Sequence, residues 1–139
     1  IWTLLDTGLR LSELANLAPN QIDWQRHCLV FRGKGGKRRL VPLSDRVRPL
    51  VEGHFATYES LGFGPRTIQN IVKEVAGRAR IARPCCPHVL RHTFSVESLK
   101  RGIDIVSLKT ILGHESLITT TIYLNMQPET ALEEYRRKW

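Results

Sequence analysis

A mainly α-helical domain with one small antiparallel β-sheet (α+β) is the fold class that this sequence predicts. Apolar residues recur at helical spacing over most of the chain. Only one pair of short alternating runs, flanking a glycine-rich loop, reads as strand. Gly and Pro punctuate the chain at intervals that leave short, separate helices between them. The 139 residues, 42% hydrophobic and 24% charged, suffice for one ordinary domain with a core of its own, residues 1–139.

The elements follow in order. Ile1, Trp2, Leu4 and Leu5 look like the tail of a helix that Thr7 and Gly8 end, and residues 9–17 predict a second short helix with Ser12 as its N-cap. Asp23 and Trp24 begin a strand-like region. Residues 28–32 and 40–43 alternate around Gly33, Lys34, Gly35, Gly36 and Lys37, which predicts a hairpin, with Pro42 pointing to an edge strand. Ser44 can cap a helix reaching Leu61, with Val47, Leu50, Val51 and Phe55 on one face and Pro49 and Gly53 interrupting it. Gly62, Gly64 and Pro65 then break the chain.

From residue 66 to 80, Ile68, Ile71, Val72, Val75, Ala76 and Ala79 follow helical spacing and leave Arg66, Gln69, Asn70 and Lys73 on a polar, mostly basic face. Pro84 and Pro87 bracket a connector, and Pro87 suits the first turn of a helix running to Arg101 and stopped by Gly102. Residues 104–112 form another helix, ended by Gly113. Ser116 can cap a short helix through Tyr123 and Leu124, and after Pro128 a last amphipathic helix carries Ala131, Leu132, Tyr135 and Trp139.

Lys plus Arg number 21 against 13 for Asp plus Glu, a net charge of +8. Such an excess in a small domain points to a polyanionic partner, nucleic acid first, with a merely basic soluble protein as the alternative. No apolar stretch approaches the ~20 residues of a membrane span and no cleavable leader opens the chain, so no membrane partner and an intracellular, cytoplasmic location are expected. Cys28, Cys85 and Cys86 are an odd set in which two are adjacent, so no disulfide framework is expected. The opening apolar run, which begins without Met, predicts a piece of a longer protein.

Several residues could carry chemistry. Arg32, Lys34, Lys37, Arg38 and Arg39 fall on the hairpin with no acid among them; a solvated loop is one reading, a phosphate-approaching tip the other. The glycine spacing is not that of a nucleotide-binding P-loop. His88 and Arg91, three apart at a helix start, project from one face beside free backbone donors, which is a phosphate site in outline; capping and an ordinary ion pair are the alternative. Cys85, Cys86 and His92 lack structural-zinc spacing, so no metal is assigned. His114 follows Gly113 at a helix end, and Tyr123 taken alone reads as a packing residue.

The set is more specific than its members. Thr7-Gly8-Leu9-Arg10-Leu11-Ser12-Glu13-Leu14, the lysine hairpin ending in Leu40-Val41-Pro42-Leu43, Pro87-His88-Val89-Leu90-Arg91-His92-Thr93-Phe94, Leu112-Gly113-His114-Glu115-Ser116, and Tyr123 occur in this order. Together they resemble the catalytic domain of the tyrosine recombinases, the phage integrase family, from Thr7 to about Tyr123. The resemblance implies that Tyr123 attacks a DNA phosphodiester to form a 3′-phosphotyrosine. Arg10 and Arg91 would hold the non-bridging oxygens, Lys34 protonate the leaving oxygen, His88 assist proton transfer at the nucleophile, and His114 bond the phosphate. Glu13 would support the site from behind.

The resemblance further implies double-stranded DNA as partner, contacted by Lys37, Arg38, Arg39, Arg66, Gln69, Asn70 and Lys73, and no cofactor, neither ATP nor metal. It implies a homo-oligomer, a tetramer on nucleoid DNA, joined through the tail after Pro128, whose apolar stripe Ala131, Leu132, Tyr135 and Trp139 could equally pack on its own domain. An upstream DNA-binding domain of the family would lie outside this chain. Two other readings share these residues: a type IB topoisomerase, whose members generally place a lysine where His88 stands, and a DNA-binding relative without chemistry. Asn125 departs from the pattern, standing where a histidine is frequent in the family.

Overall fold

The computed structural model describes residues 1–33, 36–113 and 136. Its elements are α1 (Trp2–Thr7), α2 (Leu11–Ala15), a 3-10 turn (Pro19–Gln21), β1 (Ile22–Asp23), β2 (Cys28–Arg32), β3 (Arg38–Pro42), α3 (Arg48–Phe55), α4 (Pro65–Arg78), α5 (Pro87–Lys100) and α6 (Ile105–Leu112). The two helices expected after Gly113 lie outside the described residues.

Three strands pair antiparallel in the order β1-β2-β3. The strand-like region expected from Asp23 is shorter and earlier, because residues 24–27 turn the chain back on itself. Leu29 faces Val41 and Phe31 faces Arg39 on the inner side; Val30 faces Leu40 and Arg32 faces Arg38 on the outer side. Pro42 lies on β3, an edge strand, where its missing N–H breaks no ladder. The Gly33 N–H donates to the Lys37 carbonyl at 2.8 Å and closes the hairpin.

The helices pack their apolar stripes on the inner face of this sheet and on each other. Leu4, Leu29, Val41 and Val47 are fully inaccessible at its centre. α4 buries Ile68, Val72 and Ala76, spaced four apart, and leaves Arg66, Gln69, Asn70 and Lys73 exposed, as its periodicity predicts. On α5 the buried stripe includes Ser95 and Ser98, small side chains that let α1 lie close; the Ser95 hydroxyl is satisfied by donating to the Arg91 carbonyl at 3.1 Å. α6 begins at an Asp104 cap, whose carboxylate accepts from the Val106 and Ser107 N–H groups at 2.9 and 3.0 Å. It ends at Gly113 in the left-handed region.

Two boundaries differ from expectation. The N-cap of α2 is Arg10, not Ser12, because Glu13 at the third helical position reaches back to accept the Arg10 N–H at 2.8 Å. The helix expected over 44–61 is confined to Arg48–Phe55: Ser44 caps only the preceding turn, accepting from the Val47 N–H, and Pro49 starts the helix instead of interrupting it. Val47 and Val51 are buried, whereas Leu50, expected beside them, is exposed.

Gly8 has a structural role that its position as a helix stop does not reveal. At φ +60° it ends α1, and a Cβ there would strike the Phe94 ring and come within 2.9 Å of Leu112. α5 and α6 therefore close over a backbone with no side chain. Gly8→Ala is expected to lose about 2–4 kcal/mol through left-handed strain and overpacking. Urea unfolding of the two proteins measures it; a loss below about 1 kcal/mol would show that the neighbours yield freely.

Candidate active site

The site is assembled on the C-terminal end of α6. The last carbonyls of a helix have no intrahelical partner and carry the negative end of its dipole. Arg91 donates from Nη2 to the Leu112 carbonyl at 2.8 Å, and Arg39 donates from Nη1 to the same oxygen at 3.0 Å. Arg10 donates from Nη2 to the Gly113 carbonyl at 2.9 Å. Arg91 also donates to the Gly8 carbonyl, tying α5 to the turn after α1.

Glu13 balances part of this positive charge. Its carboxylate pairs with Arg10 Nη1 at 3.0 Å and with Arg39 Nη2 at 2.7 Å, while accepting the Arg10 N–H. Burial pushes the Glu13 carboxyl up, but the hydrogen bonds and charge of Arg39 and Arg10 outweigh it, and the net displacement is downward. Glu13 is thus ionised at neutral pH. Arg91, 7% exposed, is lowered to about 10, first by burial and then by the charges of Arg10 and Arg39, with Glu13 opposing. It is still a cation at neutral pH.

Arg10, His88 and Arg91 line one hollow of about 320 Å³, together with Leu9, Leu11, Gln69, Cys86 and Pro87. The hollow opens at the amino end of α5, where Pro87 occupies the first turn and His88 is exposed. Guanidinium groups, an imidazole and a helix N-terminus around a small opening suit a phosphate oxyanion. Gln69 brings the polar face of α4 to the same opening. A larger depression, about 1000 Å³, lies at the sheet beside Trp24, Arg32 and Arg38; neither Arg10, His88 nor Arg91 lines it.

Of the six residues expected to carry chemistry, the structure brings together Arg10, His88 and Arg91; Lys34, His114 and Tyr123 lie outside the described residues. Lys37 and Arg38 are exposed on the hairpin, and Arg66, Gln69, Asn70 and Lys73 are exposed on α4. Arg39 departs from expectation as a surface DNA contact. Its side chain is 11% exposed and turned inward against Glu13 and the Phe31 ring, with the guanidinium carbon 4.8 Å from the ring centroid. Strand parity is the reason: Arg39 stands two residues before buried Val41 and shares its face. Among the described residues no three His, Cys, Asp or Glu side chains are grouped so as to hold a metal ion, and no helix is long and apolar enough to cross a membrane.

The Phage integrase family model matches residues 1–60 and 63–130. The chain is 36% identical to tyrosine recombinase XerA of Pyrococcus furiosus over 151 aligned residues, covering 96% of this chain and 51% of that protein. It is 30% identical to tyrosine recombinase XerD of Bifidobacterium longum, covering 93% and 49%. Among solved structures, XerA recombinase superposes with a TM-score of 0.80 at 29% identity, covering 98% of this chain and 55% of the other. XerH bound to difH substrate shares the fold, with a TM-score of 0.73 at 22% identity. The chain spans about half the length of the curated relatives it matches. With the family model covering most of its length and the arginine, histidine and hairpin blocks in order, the chain belongs to the phage integrase family.

Proposed function

We propose that this chain is the catalytic domain of a site-specific DNA recombinase that breaks and rejoins strands through a covalent 3′-phosphotyrosine. The observation that carries the reading is the meeting of Arg10 with His88 and Arg91, far along the chain from it, around one hollow in a member of this family. The relatives are named tyrosine recombinases, and several similar folds were solved on DNA.

In the proposed reaction the Tyr123 oxygen attacks phosphorus, forming the tyrosyl ester as the P–O5′ bond breaks. His88 assists removal of the phenolic proton, and Lys34 gives a proton to the departing 5′ oxygen. Arg10 and Arg91 stabilise the negative charge that builds on the non-bridging oxygens, with His114 bonding one of them. Attack by an incoming 5′-hydroxyl reverses each step and restores Tyr123. One phosphoester replaces another throughout, so the reaction needs no nucleotide or metal to drive it.

Double-stranded DNA is the proposed partner, with α4 and the hairpin tip gripping it through Arg66, Gln69, Asn70, Lys73, Lys37 and Arg38. Assembly as a tetramer on DNA through the segment after Pro128, in the cytoplasm on nucleoid DNA, completes the proposal.

Incubated with a library of nicked duplexes, the chain is expected to yield an SDS-resistant protein–DNA adduct, and Tyr123→Phe none; an adduct from the Phe variant rules Tyr123 out as nucleophile. Arg66→Ala and Lys73→Ala are each expected to weaken duplex binding and to flatten the log–log salt dependence by about one unit. An unchanged slope in filter-binding titrations removes α4 from the interface. Deletion of residues after Pro128 is expected to reduce DNA-bound oligomers in gel-shift experiments while sparing single-site adduct formation, and undiminished oligomers argue against the tail.

A further inference from the structure

We infer that Arg39 is a positioning residue that holds the lysine hairpin in register with the two phosphate-gripping arginines. The inference rests on the recombinase reading for its consequence in catalysis, but its geometry stands independently.

Arg39 sits on β3, which leads out of the loop carrying Lys34. From there its guanidinium reaches two other elements. Nη2 pairs with Glu13, the carboxylate that holds both the backbone N–H and the Nη1 of Arg10. Nη1 donates to the Leu112 carbonyl, the oxygen that also receives Arg91 and stands two residues before His114. One inward-turned side chain thus connects the hairpin, Arg10, Arg91 and the carbonyl of Leu112.

The surroundings are shaped around it. The ring of Phe31, its cross-strand neighbour, supports the guanidinium from one side. Gly113 passes so near that a Cβ there would lie 2.6 Å from both Cδ and Nη1 of Arg39. A planar, permanently charged group with several donors satisfies both acceptors at once; an ammonium offers a point charge in place of that fork. Because the side chain is turned away from solvent, its contribution to catalysis passes through its neighbours and not through a contact of its own with DNA.

Arg39→Met, which keeps an apolar contact with Phe31, is expected to lower the single-turnover rate of adduct formation on nicked duplex by about 10²-fold, with duplex affinity changed by no more than about threefold. Arg39→Lys recovers part of the rate. Arg39→Gln, which removes the charge but keeps a polar end at the core edge, serves if Arg39→Met fails to fold. Affinity falling in step with rate, together with a shallower salt dependence, would make Arg39 a direct DNA contact and overturn the proposal. A lower thermal midpoint with folded protein cleaving at the parental rate would make it merely structural.

Side-chain NMR of the free chain gives a readout that needs no reaction. The guanidinium resonances of Arg10 and Arg91 are expected to move in Arg39→Met and to stay in place in Arg48→Met, on the remote helix α3. If they do not move in Arg39→Met, the positioning role is refuted whether or not DNA is cleaved. If they move while the parental chain forms no adduct with any duplex, the coupling holds and the recombinase reading fails.

Discussion

Three guanidinium groups are held against the carboxyl end of one short helix, and the rest of the site depends on that meeting. Leu112 and Gly113 offer carbonyls that α6 cannot use internally, and Arg91, Arg39 and Arg10 take them. Cations repel at this range, and the helix end, Glu13 and the Gly8 carbonyl oppose the repulsion. The lowering of Arg91 records the same tension, set by burial and by the charges of its neighbours.

Packing supplies the geometry that electrostatics then exploits. Gly8 removes a side chain where α5 and α6 converge, and the Ser95 and Ser98 stripe brings α1 against α5. These small residues set how near the Gly8 carbonyl comes to Arg91. The sheet does the same on the other side, since its inner face is completed by an arginine where an aliphatic residue would end the core. A charged residue built into a core edge in this way costs stability unless it is paired, which is why the Glu13 carboxylate and the Leu112 carbonyl are as much a part of the fold as of the site.

Much of this was legible in the residues. The hairpin and helices α4 to α6 follow from apolar spacing and from Pro and Gly at their ends, and Asp104 and Gly113 are local stop and start signals that tertiary contacts do not override. Arg10, His88 and Arg91 were identifiable from ordered motifs. Arg39 was not, because charge suggests solvent, and only the parity shared with Val41 hints otherwise. The cap of α2 was misplaced for a related reason: Ser12 is the commoner capping residue, but a carboxylate at Glu13 that must also neutralise two arginines draws the start of the helix to Arg10. The ion pair of Arg39 with Glu13, common to both, joins segments far apart in the chain.

Arg10, Arg39 and Arg91 gather their guanidinium groups at this helix end, with Glu13 paired to Arg10 and Arg39. A DNA phosphodiester brings one negative charge, whereas the five-coordinate phosphorus reached in the proposed transfer brings two. Guanidinium groups gathered in this way interact more strongly with the more highly charged species, so the cluster favours the summit of the proposed reaction over the intact strand.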